Sequence, residues 1–287
     1  MSKSISSPFA VFVLGSPRSG TTLMGALIGS CSNVADLGEY GGFYLSHAVA
    51  HEELGTMPTP YLADYLSSLR EHSEVFAQSV ALAGNASCYV DSTPWNLLVA
   101  HELARQLPDA VFVLMLRHYG GVVQSLARSD VSKHSWAGRN WRERAAVWRN
   151  VYQHALDLPM DRTIPVGYEA LCREPAGTIG TLKNALRARG VMADTMDLGM
   201  LAISHATDPR HARPVIGRRS GDGAVAVRPI RTWDPSGWSR SIRQEVEEEV
   251  ADVDAMLRSR FPSAYWTPSG GEASFFRSRE GALHGSR

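Results

Sequence analysis

The 287-residue sequence is poor in the features that mark several large classes of protein. It holds three cysteines, Cys31, Cys88 and Cys172, spaced too widely for a disulfide framework or a zinc motif. A reducing, cytoplasmic setting is the expectation. There is no charge excess: 29 Lys+Arg stand against 29 Asp+Glu, a formal net charge of zero. Nucleic-acid binding draws on a clustered basic excess to displace counterions, so it is not expected. Long apolar runs are missing too. Phe9–Leu14 and Ala110–Leu116 are the strongest, and both fall far short of the roughly 20 residues that span a bilayer. The first is preceded by a single basic residue, Lys3, and is followed by Gly-Ser-Pro-Arg rather than a small-residue cleavage site. It does not read as a secretion signal.

What is present is a globular composition, 44% hydrophobic and 20% charged. A chain of this length buries roughly three quarters of its unfolded surface, enough for a core without staples. Phe9–Leu14, Ser87–Asp91, Val111–Leu116 and Thr163–Val166 read as short buried strands. Helical patterns lie between them. Gly20–Ser30 places Leu23 with Leu27 and Met24 with Ile28, and residues 40–83 read as helical segments broken at Gly55 and at Pro58-Thr59-Pro60. A helix opens at Pro94, another runs from about Tyr119 to Arg128, and Trp141, Ala145, Trp148 and Tyr152 share one helical face. Val246, Val250, Val253 and Leu257 mark a last helix. Strands alternating with helices predict one α/β domain over residues 1–266, with a central, mostly parallel sheet between layers of helices. The segment 206–223 reads as irregular and the tail 267–287 as disordered.

The strongest local signal is Gly15-Ser-Pro17-Arg18-Ser19-Gly20-Thr21-Thr22, between a buried strand and a helix. Backbone amides in such a turn point inward, and the helix N-terminus adds its dipole, so an anion, above all a phosphate, belongs there. The spacing is that of the nucleotide-hydrolysing P-loop, G-x-x-x-x-G-K-[ST], but Thr21 stands at the lysine. The cation has moved into the loop as Arg18. That change removes the group that reaches the terminal phosphates, and with it the main reason to expect Mg²⁺ or ATP hydrolysis.

Pro17-Arg-Ser-Gly-Thr-Thr-Leu23 resembles the 5′-phosphosulfate loop of the sulfotransferases that use 3′-phosphoadenosine 5′-phosphosulfate (PAPS). The resemblance implies a P-loop-type three-layer fold and a second site for the 3′-phosphate, made by a strand-end arginine and a serine eight residues on. Arg117 and Ser125 stand at those positions in Val111-Phe-Val-Leu-Met-Leu-Arg117-His-Tyr-Gly-Gly-Val-Val-Gln-Ser125. Asp91-Ser-Thr-Pro94-Trp-Asn96 is similar to the family's D-K-T-P-x-N, and Val166-Gly-Tyr168-Glu-Ala-Leu171 to its V-x-Y-E-D-L, whose tyrosine lies near the adenine. Arg228-Pro-Ile-Arg231-Thr-Trp233 precedes the last helix as a basic-then-Trp segment does in the tyrosylprotein sulfotransferases. Asp36-Leu-Gly38-Glu39-Tyr40 aligns with the G-E-E segment of that branch, which implies Glu39 as catalytic base.

The implied cofactor-binding set is therefore Pro17, Arg18, Ser19, Gly20, Thr21, Thr22, Arg117, Ser125, Tyr168 and Arg231, with Glu39 and Arg18 catalytic and no metal. Two positions depart from the family pattern: Ser92 replaces the lysine of D-K-T-P, and Tyr40 replaces the second glutamate of G-E-E. The expected reaction is direct sulfuryl transfer from PAPS to a hydroxyl of a small-molecule, carbohydrate or lipid acceptor. His47, His51, His118 and His134 are the other bases in principle, and His118 stands where the family commonly has Asp. A P-loop kinase shares the loop spacing but lacks its lysine. A non-catalytic nucleotide-binding relative would account for Ser92.

Overall fold

The structure, a computed structural model, describes residues 7–48, 59–129, 131–132, 134–191, 196 and 237–265. Among these, five strands form one sheet: β1 (Phe9–Leu14), β2 (Val34–Asp36), β3 (Cys88–Asp91), β4 (Val111–Leu116) and β5 (Thr163–Gly167). Their order is β2-β3-β1-β4-β5 and every pairing is parallel. The α/β class and the parallel sheet are as the sequence predicts.

Why these segments are strands follows from their two buried faces. In β1, Phe12 and Leu14 join one core while Val11 and Val13 join the other. In β4, Phe112, Leu114 and Leu116 face the first core and Val111, Val113 and Met115 the second. A strand covered on both sides has no polar alternation, so it reads as a continuous apolar run. Helix α1 (Thr21–Gly29) and helix α8 (Pro175–Arg187) cover one face with Met24, Leu27, Ile28, Ile179, Leu182 and Leu186. The other face receives Phe43 from α2 (Gly42–Ala48), Ala77 from α3 (Thr59–Ala83) and Leu103 from α4 (Ala100–Gln106). It also receives Val122 from α5 (Tyr119–Leu126), Trp148 from α6 (Trp141–Tyr152) and Val250 from α9 (Arg240–Arg260). The predicted faces of α6 and α9 are buried, with Ala145, Trp148 and Tyr152 on the first and Val246, Val250, Val253 and Leu257 on the second. Helix α7 (Tyr168–Arg173) follows β5 directly.

Some elements differ from the sequence expectation. Edge strand β2 is three residues long, too short to show a period. The helix expected at Pro94 begins as a 3-10 stretch, Pro94–Val99, before α4. Helix α5 stops at Leu126, short of Arg128. Helix α8, with Pro175 in its first turn, has the spacing Ile179, Leu182, Leu186 that would have announced it. The segment 206–223, Arg231 and the tail 267–287 lie outside the described residues. No described helix is long and apolar enough to cross a membrane.

Strand order places the site. Strand β1 lies between β3 and β4, so the chain crosses the sheet after β3 and opens a crevice beyond the strand ends there. Because all strands run the same way, each one delivers its following loop to that same edge. Arg18, Glu39, Ser92, Arg117 and Tyr168 lie at that edge, one just after each strand.

Candidate active site

The phosphate loop owes its shape to three residues with positive φ: Gly15 at 155°, Arg18 at 73° and Gly20 at 98°. Gly20 has no substitute, because a Cβ there would meet the Tyr168 ring at 2.8 Å. A turn alternating between left- and right-handed residues aims successive amides at one point, an anion nest. Ser19 N donates to Ser16 O at 3.0 Å, closing the turn. Helix α1 then starts with Gly20 as N-cap, no side-chain cap and no acidic residue in its first turn. Its leading amides are left for an anionic ligand.

Arg18 is the one loop residue with a strained backbone and a side chain to keep. A left-handed non-glycine residue costs about 1–2 kcal/mol. Arg18→Gly should therefore be more stable than Arg18→Ala by about 1 kcal/mol in urea unfolding, with neither restoring activity. Equal stabilities would show that the loop carries no strain.

Four predicted ligands meet here. Arg18 Nε donates to Ser125 Oγ at 3.1 Å, and Arg117 Nη1 donates to Arg18 O at 2.6 Å. The Arg117 guanidinium lies 4.0 Å over the Tyr168 ring. Burial pushes the Tyr168 hydroxyl up to about 12, so it stays protonated. The loop, the strand-end arginine, its serine and the tyrosine thus form one continuous patch although they are spread over 150 residues (18 to 168). The Arg18 side chain points to the Ser125 side of this patch.

On the other flank Thr22 Oγ1 donates to Glu39 Oε1 at 2.8 Å. Glu39 therefore stands beside the first turn of α1. It is exposed. Its loop is fixed from β3: Ser92 N and Ser92 Oγ both donate to Gly38 O, at 2.8 and 3.1 Å, and Gly41 N donates to Thr93 Oγ1 at 2.9 Å. Ser92 is buried, its Cβ set against Gly25 of α1, where an added Cβ would come within 2.5 Å. Its role in this fold is to brace the Glu39 loop. Asp91 is buried and accepts from Thr93 N, Thr93 Oγ1 and Asn96 Nδ2, which shapes the turn at Pro94. Burial pushes its carboxyl up and these donors oppose the shift.

The histidines divide. His118 is buried and caps α5, its Nδ1 accepting from Gly120 N, and burial with nearby Arg258 pushes it down to about 3. His47 is buried against Gln106, with Nε2 and Gln106 Oε1 3.0 Å apart, and its pKa is lowered by burial and by Arg70. Neither is available as a base. His134 is exposed beside Trp136, and His51 lies outside the described residues. Among the described residues no group of three or more His, Cys, Asp or Glu is arranged to hold a metal.

Sequence reasoning did not single out the residues behind Arg117. Tyr152 OH donates to Met115 O at 2.6 Å and accepts from Arg117 N at 3.2 Å. Trp148 Nε1 donates to Arg117 O at 3.0 Å, and Glu169 Oε1 accepts from His118 N at 3.1 Å. The helical face of α6 announced a buried Trp148 and Tyr152, but not what their polar atoms touch.

Several known proteins are similar to this chain. The profile of the sulfotransferase family matches residues 8–189. Protein-tyrosine sulfotransferase 2 of Gallus gallus is 22% identical over 267 residues, covering 86% of this chain and 67% of that protein. Among solved structures, the sulfotransferase domain from the curacin biosynthetic pathway is 17% identical with a TM-score of 0.48, covering 85% of this chain and 98% of that one. A sulfotransferase from Mycobacterium avium is 15% identical with a TM-score of 0.47, covering 86% of this chain and 76% of the other.

Proposed function

The chain belongs to the sulfotransferase family, and from that premise we propose that it transfers a sulfuryl group from PAPS to a hydroxyl of a small-molecule, carbohydrate or lipid acceptor. The observation that carries the donor is the joining of two anion sites: Arg117, over Tyr168, reaches the phosphate loop itself, and Arg18 reaches Ser125. A nucleotide with phosphates at both ends of its ribose matches two cation-bearing sites set side by side. A plain 5′-nucleotide leaves one of them unused.

PAPS supplies the sulfuryl group already activated, as a mixed phosphosulfate anhydride. The protein's share is binding, orientation and proton handling. In the Pro17–Thr22 loop the amides of Gly20, Thr21 and Thr22, with Arg18, hold the 5′ end, and Arg117 and Ser125 the 3′-phosphate. The Tyr168 ring stands beside the base. Arg231, from the same resemblance, lies outside the described residues. Glu39 takes the acceptor proton. Thr22, by donating to Glu39 Oε1, fixes the carboxylate and leaves Oε2 for the acceptor hydroxyl. With Ser92 committed to the Glu39 loop, Arg18 and the loop dipoles carry the charge that a lysine would share.

The test is transfer of labelled sulfate from PAPS to a mixed panel of phenols, sugars and lipid alcohols. With excess EDTA present, labelled product and free 3′,5′-bisphosphoadenosine are expected at the rate seen without chelator. ATP turnover that needs Mg²⁺, with PAPS inert, would move the protein to the kinases. Tight bisphosphate binding with no transfer to any acceptor would make it a non-catalytic relative.

A further inference from the structure

The four residues at the end of β4 carry an unusual density of side-chain grips on the main chain. Met115 O, Arg117 N and Arg117 O are bonded by Tyr152 and Trp148, and the next amide, His118 N, is taken by Glu169. Tyr152 and Trp148 lie four residues apart on α6, one turn of helix, so their polar atoms face the strand together. Both are fully buried, and their rings pack on one another with centroids 5.0 Å apart. Parallel strands normally pass their last carbonyls and amides to a neighbouring strand or to water. Here β4 has run past its pairing with β1, which ends at Leu14 and Leu114, and aromatic side chains from a different layer take over.

From this we propose that Tyr152 and Trp148 are positioning residues for nucleotide specificity. By fixing the peptide groups on both sides of Arg117 they aim its guanidinium over Tyr168 and onto the loop. This rests on the reading that Arg117 takes the 3′-phosphate. The physical case is one of lever and pivot. Arg117 reaches its partners through a long side chain, so a small rotation of its peptide planes displaces the guanidinium by far more. Restricting those planes before the ligand arrives lowers the ordering cost of binding. The hydroxyl of Tyr152 suits the task because it donates to one strand atom and accepts from another, so its orientation is determined. Burial pushes its ionisation well above the ordinary range, so the proton it donates is always present. Helix α6 is held in turn by α9, through Arg149–Asp252 and Arg142–Glu249 on its outer side.

The experiment measures the affinity of 3′,5′-bisphosphoadenosine and of 5′-AMP by calorimetry, and uses their ratio. Wild type should prefer the bisphosphate, and Arg117→Ala should lose that preference. Tyr152→Phe keeps the ring and removes the hydroxyl. It should lower the ratio about three- to tenfold with 5′-AMP affinity near wild type. Trp148→Phe should act in the same direction, and it carries the test if Tyr152→Phe fails to fold. Asn150→Ala, exposed on the same helix, should leave the ratio unchanged. A merely structural role would lower the melting temperature in Tyr152→Phe and Trp148→Phe without moving the ratio, and that result overturns the proposal while the Arg117 assignment stands. A wild type without preference overturns both.

Discussion

Glu39→Gln should bind 3′,5′-bisphosphoadenosine as wild type does and lose about 10²–10⁴-fold in the single-turnover rate of transfer. That range is the usual contribution of a positioned general base. The substitution is close to isosteric and keeps an oxygen for the Thr22 hydroxyl, which donates at 2.8 Å, so the loop should stay in place. What is lost is the capacity to hold the acceptor's proton. In the proposed reading nucleotide affinity belongs to the other flank, to Arg117, Ser125 and Tyr168, and so separates a catalytic defect from a misfolded site. Rapid quench under donor excess, beside calorimetry on the same preparation, is the measurement. A Gln variant that transfers at the wild-type rate would remove Glu39 from the chemistry. His47 and His118 would be poor replacements, since both are buried, His47 against Gln106 and His118 as the cap of α5. His51 and His134 would be the ones to substitute next.

Arg117→Ala should cost about ten- to a hundredfold in affinity for the bisphosphate and little for 5′-AMP. Charge-assisted hydrogen bonds contribute roughly 1.5–3 kcal/mol each. Part of the loss will come through the loop, because Arg117 Nη1 also donates to Arg18 O in this structure. That bond holds the carbonyl of the one non-glycine loop residue in a left-handed conformation. A modest fall in 5′-AMP affinity would measure this share. A fall equal to that of the bisphosphate would mean that Arg117 supports the loop and does not discriminate at the 3′ position.

The two arguments depend on sequence in different ways. The loop was legible because its requirements are local: a buried strand, glycines where φ is positive, and a helix starting without a cap all fall within 15 residues (9 to 23). The strands β1 and β4 were legible because both their faces are buried, which leaves apolar runs with few other interpretations. Strand β2 was not, since three residues cannot show a period. Ser92 shows the limit at a single residue. As a sequence position it is a missing lysine, whereas in the fold it is a brace for the Glu39 loop, supported by a glycine on α1.

By itself the sequence determined the α/β class, the phosphate loop with its displaced cation, and the identities of Arg117, Ser125, Tyr168 and Glu39 as groups to watch. The class and the loop rest on short-range chemistry, where a residue and its near neighbours must jointly satisfy φ, burial or charge, and the four residues on the resemblance of their motifs to those of the sulfotransferases. Only the tertiary structure decided that these groups share one edge, that Arg18 leans toward Ser125, that two histidines are buried, and that Tyr152 and Trp148 grip Arg117. The physical reason is the strand order. A parallel sheet that places β1 between β3 and β4 gathers loops from far along the chain at one end, and no local pattern records which strands will be neighbours.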